Sequence, residues 1–208
     1  MSLPPVEIPL GAMRFNSDSQ KLEYWMGSAW MQIQTFSPTL DGGARGLYGG
    51  GTSPGINSIE YITISTAGNA IDFGDQNGAG TYGSTTSDKT RGIIAGGHPN
   101  HNDVIDFCTI STTANFQDFG DLTQSRETLG GGASSVRGVF SGGLQSAPTN
   151  RDEIDYVTTS TTGNGTDFGN LSVGRYALSA LSNATRGVWC NGQDGTGYTN
   201  IMDYVTIS

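Results

Sequence analysis

The stretch RGVFSGG, residues 137–143, recurs three more times along the chain with small changes. The other copies are RGLYGGG at 45–51, RGIIAGG at 91–97 and RGVWCNG at 186–192, so successive copies begin 46, 46 and 49 residues apart. Each copy leads through a variable polar segment into a second shared string, and three copies then continue into a third string. Such a period indicates several copies of one supersecondary unit.

The second and third strings are IEYITISTAGN at 59–69, IDFCTISTTAN at 105–115, IDYVTTSTTGN at 154–164 and MDYVTIS at 202–208, then DFGD at 72–75 and 118–121 and DFGN at 167–170. The period matches propeller blades, which are four-stranded sheets of about 40–50 residues, and exceeds that of leucine-rich, ankyrin or tetratricopeptide units. Glycine accounts for 32 of 208 residues, and no window spaces its apolar residues as a helix does. We therefore predict an all-β protein.

One full repeat, residues 118–164, divides into four short strands that turn residues separate. These predicted strands are 127–134, 137–142, 153–160 and one around 165–168. Val139 and Phe140 are adjacent apolar residues in the second strand, which is typical of a strand covered on both faces. The glycine pair that follows it permits close approach of backbones.

The predicted fold is a small four-bladed β-propeller over residues 30–208, preceded by an N-terminal β-hairpin or meander over residues 1–29. The repeats are placed near 30–70, 71–116, 117–165 and 166–208. The last repeat lacks a strand after its YVTIS string, and an open sheet edge is an aggregation liability. We expect residues 30–36 to close the last blade. The competing prediction is that sheets are completed between chains in an oligomeric fibre.

Charge and composition exclude several classes of protein. The net charge is −9, which disfavours binding to phosphate backbones, so no nucleic-acid partner is predicted. No run of 18 apolar residues occurs, so no membrane insertion is expected, and the first 15 residues do not have the pattern of a secretory signal. Cys108 and Cys190 alone make neither a disulfide framework nor a four-ligand zinc site.

No catalytic residue, cofactor or metal site is predicted. The DFG strings lack the glycine-rich loop and lysine of a kinase, and they are interpreted as turns in which aspartate caps backbone amides. An alternative makes some of these aspartates calcium ligands, although their spacing differs from that of calcium loops. The aspartates in question are Asp72, Asp75, Asp118, Asp121 and Asp167.

Two further sets of residues raise functional questions. Four arginines and four carboxylates recur at fixed repeat positions: Arg45, Arg91, Arg137 and Arg186, with Glu60, Asp106, Asp155 and Asp203. We predict structural salt bridges between them, and the alternative is a ring of arginines that binds an anion or a glycan. His98 and His101, with Asp103, have metal-ligand spacing, but they occur in one repeat only and favour a solvated loop.

The variable segments are the predicted recognition surface. They lie at 52–57, 98–103, 144–152 and 193–200, at the same place in each repeat, and equivalent loops gather on one face of a propeller. Side chains suited to glycan contacts occur there, and the candidate binding residues are His98, Asn100, His101, Arg151 and Tyr198.

The unit ALSALSNATRGVWCNG…IMDYVTIS, residues 177–208, resembles the kelch repeat of the galactose-oxidase central domain. The shared features are a strand of small residues, a strand ending in two glycines and an aromatic residue early in the next strand. The resemblance covers residues 36–208 and departs from the family at Phe73, Phe119 and Phe168, where kelch repeats have tryptophan. It implies a propeller and transfers no activity.

Strings such as RGVFSGG…IDYVTTSTTGNGTDFGNL are similar to repeats in virion structural proteins of marine tailed phages, especially those infecting cyanobacteria. Residues 11–34, GAMRFNSDSQKLEYWMGSAWMQIQ, resemble a small module of phage tail-fibre and other appendage proteins. A meander this small needs a surface to pack on. The candidate docking residues are Phe15, Tyr24, Trp25 and Trp30.

These resemblances imply a non-enzymatic virion structural protein, assembled in the host cytoplasm, that serves as a tail fibre, appendage or surface decoration. Its expected partners are other virion proteins, further copies of itself in a homo-oligomer, and a host-surface glycan or receptor. The alternative is a free-standing glycan-binding or carbohydrate-active propeller.

Overall fold

The computed structural model describes residues 8–17, 21–33, 44–51, 56–99, 101–146 and 149–207. Every regular element in those residues is a β-strand, and every strand pair is antiparallel, which confirms the all-β class. The chain divides into two compact units, Met1–Thr39 and Leu40–Ser208.

The N-terminal unit contains one three-stranded sheet, in the order β1 (Met13–Asn16), β2 (Lys21–Trp25) and β3 (Trp30–Gln32). Gly27 has φ of 91° in the turn before β3, a conformation that suits glycine. That short turn returns the chain directly onto β2, so that Trp30 lies opposite Trp25. The pairing of residues 30–32 therefore differs from the prediction that they close the fourth repeat, and residues 34–36 lie outside the described residues.

The C-terminal unit contains one sheet for each repeat. Its strands are β4 (Arg45–Gly49), β5 (Ile56–Thr63), β6 (Ile71–Gly80), β7 (Ser84–Ser87), β8 (Arg91–Gly97), β9 (Asn102–Thr109), β10 (Gln117–Asp121), β11 (Gly130–Ala133), β12 (Arg137–Ser141), β13 (Leu144–Ser146), β14 (Thr149–Asn150), β15 (Glu153–Thr158), β16 (Thr166–Asn170), β17 (Ser179–Ser182), β18 (Arg186–Cys190) and β19 (Met202–Thr206). The sheets are β4-β5-β6, β7-β8-β9-β10, β11-β12-β15-β16 and β17-β18-β19, with β13-β14 as a separate ribbon. Repeats 2 and 3 thus have four strands in sequential order.

Among the described residues, the hydrophobic core comprises three clusters, each between two consecutive sheets. Their buried members include Ile59, Phe73, Cys108 and Phe116 between repeats 1 and 2, Ile93, Ile105, Phe119 and Phe140 between repeats 2 and 3, and Val139, Ile154, Trp189 and Ile207 between repeats 3 and 4. Val139 and Phe140 are neighbours in β12 but belong to different clusters. Since side chains alternate along a strand, β12 is covered on both faces, as its adjacent apolar residues predict.

The same backbone hydrogen bonds join successive repeats. Tyr82, Thr128 and Ala177 occupy one position, just before the first strand of their repeats, and all three have positive φ. The Thr128 N–H donates to the Tyr82 carbonyl (2.7 Å), and the Ala177 N–H donates to the Thr128 carbonyl (3.0 Å). A cavity of about 730 Å³ lies beside these first strands, and residues of all four repeats, from Arg45 to Ala184, line it.

Each DFG string lies at a β-bulge in the last strand of its sheet, and the glycines of the first two strings lie close to the backbone of the next sheet. Gly120 in β10 has φ of 146°, and a Cβ atom there would lie 2.6 Å from the backbone of Gly163, which lies between β15 and β16 of the next sheet. Only glycine fits such a close approach. In the third string, the Gly169 N–H donates to Oδ1 of Asp167 (2.9 Å), which is the capping interaction that the sequence indicates.

Candidate functional site

The variable segments begin from a shared framework position. In repeats 2, 3 and 4, the strand that begins with the Arg-Gly pair (β8, β12 or β18) ends near one or two glycines. The residue after these glycines forms an isolated β-bridge to the segment that precedes the first strand of the same repeat, and these residues are His98, Leu144 and Gln193. Their bridge partners are Thr81, Glu127 and Tyr176. Beyond this bridge the three loops differ in length and sequence. A fixed framework therefore carries a different loop in each repeat.

Two of the predicted binding residues meet at one carboxylate. The Nδ1 atoms of His98 and His101 lie 3.3 and 3.5 Å from Oε2 of Glu127, which belongs to the next repeat. The Glu127 side chain is nearly buried, whereas the His98 side chain is 54% exposed. The ring of Tyr82 contacts His98 edge-on, with 6.4 Å between the ring centroids. This cluster connects the loop of repeat 2 to the framework of repeat 3.

The other predicted binding residues lie apart from this histidine cluster. Arg151 is hydrogen-bonded to Gln145 and lies 3.3 Å from Glu153 through its Nη1 atom. Tyr198 is 90% exposed in the loop of repeat 4, where it forms a bridge with Gln193. Asn100 lies outside the described residues. The structure thus distributes the four described candidates over three loops, and among these four it joins only His98 and His101.

The four repeated arginines stack on aromatic rings of the neighbouring strand. The guanidinium carbon lies 4.5 to 4.9 Å from the ring centroid in the pairs Arg45–Tyr61, Arg91–Phe107, Arg137–Tyr156 and Arg186–Tyr204. Arg45 and Arg91 also donate through Nη1 to the carbonyls of Ile110 and Thr159, each at 2.8 Å and each in the next repeat. Arg45 and Arg91 therefore connect adjacent sheets.

The predicted salt bridges between the repeated arginines and carboxylates do not form in the described residues. Arg137 lies opposite Thr158, whereas Asp155 lies opposite Phe140. The two side chains are three residues apart along the ladder, about 10 Å, and on opposite faces of the sheet. Strand register thus keeps the two sets apart.

A second set of arginines, which sequence reasoning missed, pairs with the carboxylates instead. Arg126 Nη2 lies 2.8 Å from Asp155 Oδ2, and Arg175 Nη2 lies 2.9 Å from Asp203 Oδ2. Both arginine side chains are fully buried. Burial lowers the pKa of Arg126, and Asp155 and Glu153 act in the opposite direction. The signal in the sequence is an arginine 11 residues before the RG dipeptide in repeats 3 and 4.

In repeat 2 the equivalent carboxylate has no such arginine. Asp106 is 7% exposed and accepts a hydrogen bond from Asn77 Nδ2 at 2.6 Å. Burial raises the pKa of Asp106, and the hydrogen bonds from Asn77 only partly offset this effect. Repeat 2 therefore holds a carboxylate whose charge is less well compensated than in repeats 3 and 4.

The two cysteines are free thiols, and Cys108 is buried. Burial raises the pKa of Cys108 to about 12, so its thiol stays protonated at neutral pH. No group of three His, Cys, Asp or Glu side chains within the described ranges is placed to hold a metal ion. Among these same residues, no helix is long and apolar enough to cross a membrane.

The sheet of the N-terminal unit has one apolar face and one mixed face. Met13 lies opposite Tyr24, Phe15 opposite Leu22 and Met31 opposite Tyr24, so these five side chains share a face, which we call the apolar face. Met13 and Phe15 are 62% and 64% exposed.

The two tryptophans lie on the other face of this sheet. Trp25 and Trp30 contact each other with 5.5 Å between ring centroids, and Arg14 stacks on Trp30 at 4.2 Å. Arg14 also pairs with the nearly buried Glu23 at 2.8 Å. Of the four candidate docking residues, Phe15 and Tyr24 are thus on the apolar face.

No family model and no curated protein matches the chain. Its function is therefore inferred from the repeats and from the geometry of these sites.

Proposed function

We propose that the protein is a non-enzymatic structural component of a bacteriophage particle that displays a small kelch-like propeller for attachment to the host surface. The observation that carries this proposal is the shared bridge at His98, Leu144 and Gln193, from which loops of different sequence leave an otherwise repeated framework. Frameworks that hold variable loops are typical of recognition proteins.

The propeller arrangement is supported by the contacts between repeats. Consecutive sheets share hydrophobic clusters and the same backbone hydrogen bonds, and repeats 1 and 4 line one cavity together with repeats 2 and 3. In the proposed fold the four sheets are blades around this cavity. The equivalent loops then lie at one end of the ring.

The N-terminal unit is the proposed docking element. Its apolar face exposes Met13, Phe15 and Leu22, and exposed apolar patches mark interaction sites. We propose that other virion proteins, or further copies of this chain in a homo-oligomer, cover this face. The resemblance of residues 11–34 to a phage appendage module supports this assignment.

Quantitative mass spectrometry and immunoelectron microscopy of purified phage particles test the proposal. We expect a fixed copy number per particle and labelling at one location. A Phe15→Ser variant, which places a polar group on the apolar face, should be lost from particles. A Leu181→Ser variant serves as the matched control because Leu181 is 71% exposed in repeat 4, and it should be retained.

Two results would overturn this function. Absence of the protein from intact particles would exclude a virion role. Hydrolysis of a host polysaccharide by the purified protein would favour the alternative, a free-standing carbohydrate-active propeller.

A further inference from the structure

Repeats 2, 3 and 4 build the same carboxylate site on their third strands. The carboxylates are Asp106, Asp155 and Asp203. Each also accepts a hydrogen bond from one position of the segment after the DFG string. The donors are Asn77 Nδ2 (2.6 Å) to Asp106, Thr123 Oγ1 (2.7 Å) to Asp155 and the Ser172 N–H (3.2 Å) to Asp203. The three sites are therefore copies that can be compared directly.

The three copies differ at the position whose side chain can pair with the carboxylate. Repeats 3 and 4 have Arg126 and Arg175 there, both fully buried and paired with their carboxylates. Repeat 2 has Gly80. The alignment is structural, because the next residue forms the same isolated bridge in each case: Thr81 to His98, Glu127 to Leu144 and Tyr176 to Gln193.

A cavity of about 190 Å³ lies where repeat 2 lacks the arginine. Its lining includes Gln76, Asn77, Gly80, Asn102 and Asp106. Asn77 and Gly78 are exposed at its rim, so it opens to solvent.

The polar atoms in this cavity are suited to a cation with several hydrogen-bond donors. Asp106 brings a buried carboxylate whose side-chain partner is the neutral amide of Asn77. Asn102 Oδ1 is buried and accepts no hydrogen bond. A buried charge requires compensation, and a buried acceptor requires a donor. Guanidinium supplies both, with a planar set of N–H groups.

We propose that this cavity binds a guanidinium group carried on an alkyl stem, as Arg126 and Arg175 fill the matching space in repeats 3 and 4. Asp106 accepts two N–H groups of the ligand, and Asn102 Oδ1 accepts a third. The ligand is either a free small guanidinium compound or an arginine side chain of a partner protein. This site is independent of the proposed attachment function.

Isothermal titration calorimetry of the full-length protein tests the site with two probes, agmatine and the capped tripeptide Gly-Arg-Gly. We expect saturable binding of agmatine, and n-butylamine should bind at least 10-fold more weakly because it lacks the planar donors. Binding of the tripeptide as well would indicate an arginine from a partner, and binding of agmatine alone a free ligand.

Two variants locate the binding. Asp106→Asn should weaken agmatine binding at least 10-fold, whereas Asp103→Asn, in the same strand but outside the cavity lining, should not. Gly80→Arg should abolish binding by filling the cavity with an arginine of the chain itself. A Cβ atom at Gly80 would lie 3.1 Å from Gln76 Nε2, so this change is combined with Gln76→Leu, which copies Leu122 of repeat 3.

The proposal is overturned if neither probe binds, if Asp106→Asn binds agmatine as the wild type does, or if the Gly80→Arg variant is folded and still binds. Calcium chloride is titrated separately. Calcium binding that Asp106→Asn removes and that excludes agmatine would assign the cavity to a metal ion instead.

Discussion

The middle and the ends of the repeat series have the same sequence pattern but different surroundings. Phe140 in repeat 3 is fully buried against repeat 2, whereas Tyr48, at the same position of repeat 1, is 59% exposed. Likewise Tyr156 packs against the cluster between repeats 3 and 4, but Tyr204, its equivalent in repeat 4, is 64% exposed. The strands are alike, so the neighbouring repeat decides which side chains are buried.

This difference shows where the stability of the C-terminal unit resides. A single three- or four-stranded sheet buries little by itself, and each repeat gains its core from contact with the next. The faces that carry Tyr48 and Tyr204 lack such a neighbour among the described residues.

The largest expected difference in the free energy of unfolding is between the Phe140→Ala and Tyr48→Ala variants. Removing the Phe140 ring leaves a cavity in a close-packed cluster and should lower the free energy of unfolding by about 3–5 kcal/mol. Removing the mostly exposed Tyr48 ring should change it by only about 0.5 kcal/mol. Urea denaturation of both variants, followed by tryptophan fluorescence, measures the two values.

Equal losses for the two variants would contradict this comparison. They would mean that a sheet covers Tyr48 in solution. Repeating the measurement over a range of protein concentrations separates the causes, because cover by a second copy makes stability concentration-dependent and cover by repeat 4 does not.

The second difference concerns Gly120 and Gly169, which occupy the same position of their DFG strings. Both have positive φ, so alanine is strained at either site by about 1–3 kcal/mol. A Cβ atom at Gly120 would also meet the backbone of Gly163, whereas at Gly169 it would meet nothing within 4 Å. Gly120→Ala should therefore cost about 1–3 kcal/mol more than Gly169→Ala in thermal unfolding. An equal loss of stability in the two variants would show that backbone of a neighbouring repeat also lies close to Gly169.

Much of this framework could be predicted from the repeats. The RG strings predict one strand in each of the four sheets, and the adjacent Val139 and Phe140 predict a strand covered on both faces. The pairing of Trp30 could not be predicted, because a strand of three residues fits either sheet and the turn at Gly27 decides between them.

The site was harder to predict than the fold. Charge alone suggested pairing Arg137 with Asp155, but strand register places them on opposite faces. Arg126 and Arg175 gave a weak signal because only two of the four repeats contain this arginine. Glu127 gave none, since Thr81 and Tyr176 occupy its position elsewhere.

The third difference lies between Arg91 and Arg186. Each stacks on an aromatic ring at 4.6 Å, but only Arg91 also donates to a carbonyl of the next repeat, that of Thr159. Arg91→Ala should therefore lower the free energy of unfolding by about 1 kcal/mol more than Arg186→Ala, which loses the stacking alone. Chemical denaturation of both variants checks this. A larger loss at Arg186 would show that it, too, braces a neighbouring sheet.

The smallest effect is a change in pH dependence at Asp106. Burial raises the pKa of Asp106 in the folded protein above its pKa in the unfolded chain. At a pH between these two pKa values, Asp106 is protonated in the folded protein and deprotonated in the unfolded chain. Asp106 therefore makes its full contribution to the free energy of unfolding at a pH below its pKa in the unfolded chain. This contribution is lost as the pH rises through its pKa in the folded protein. Asp106→Asn should remove this loss, which urea denaturation between pH 3 and pH 7 measures.

Asp103→Asn is the matched control, since it removes the same charge from the same strand without touching the cavity. The loss of stability assigned to Asp106 should persist in this variant. If the Asp106→Asn variant and the wild type instead lose stability in parallel as the pH rises, other groups in the folded protein already balance the negative charge of Asp106. Repeat 2 would then resemble repeats 3 and 4, where a buried arginine pairs with the carboxylate.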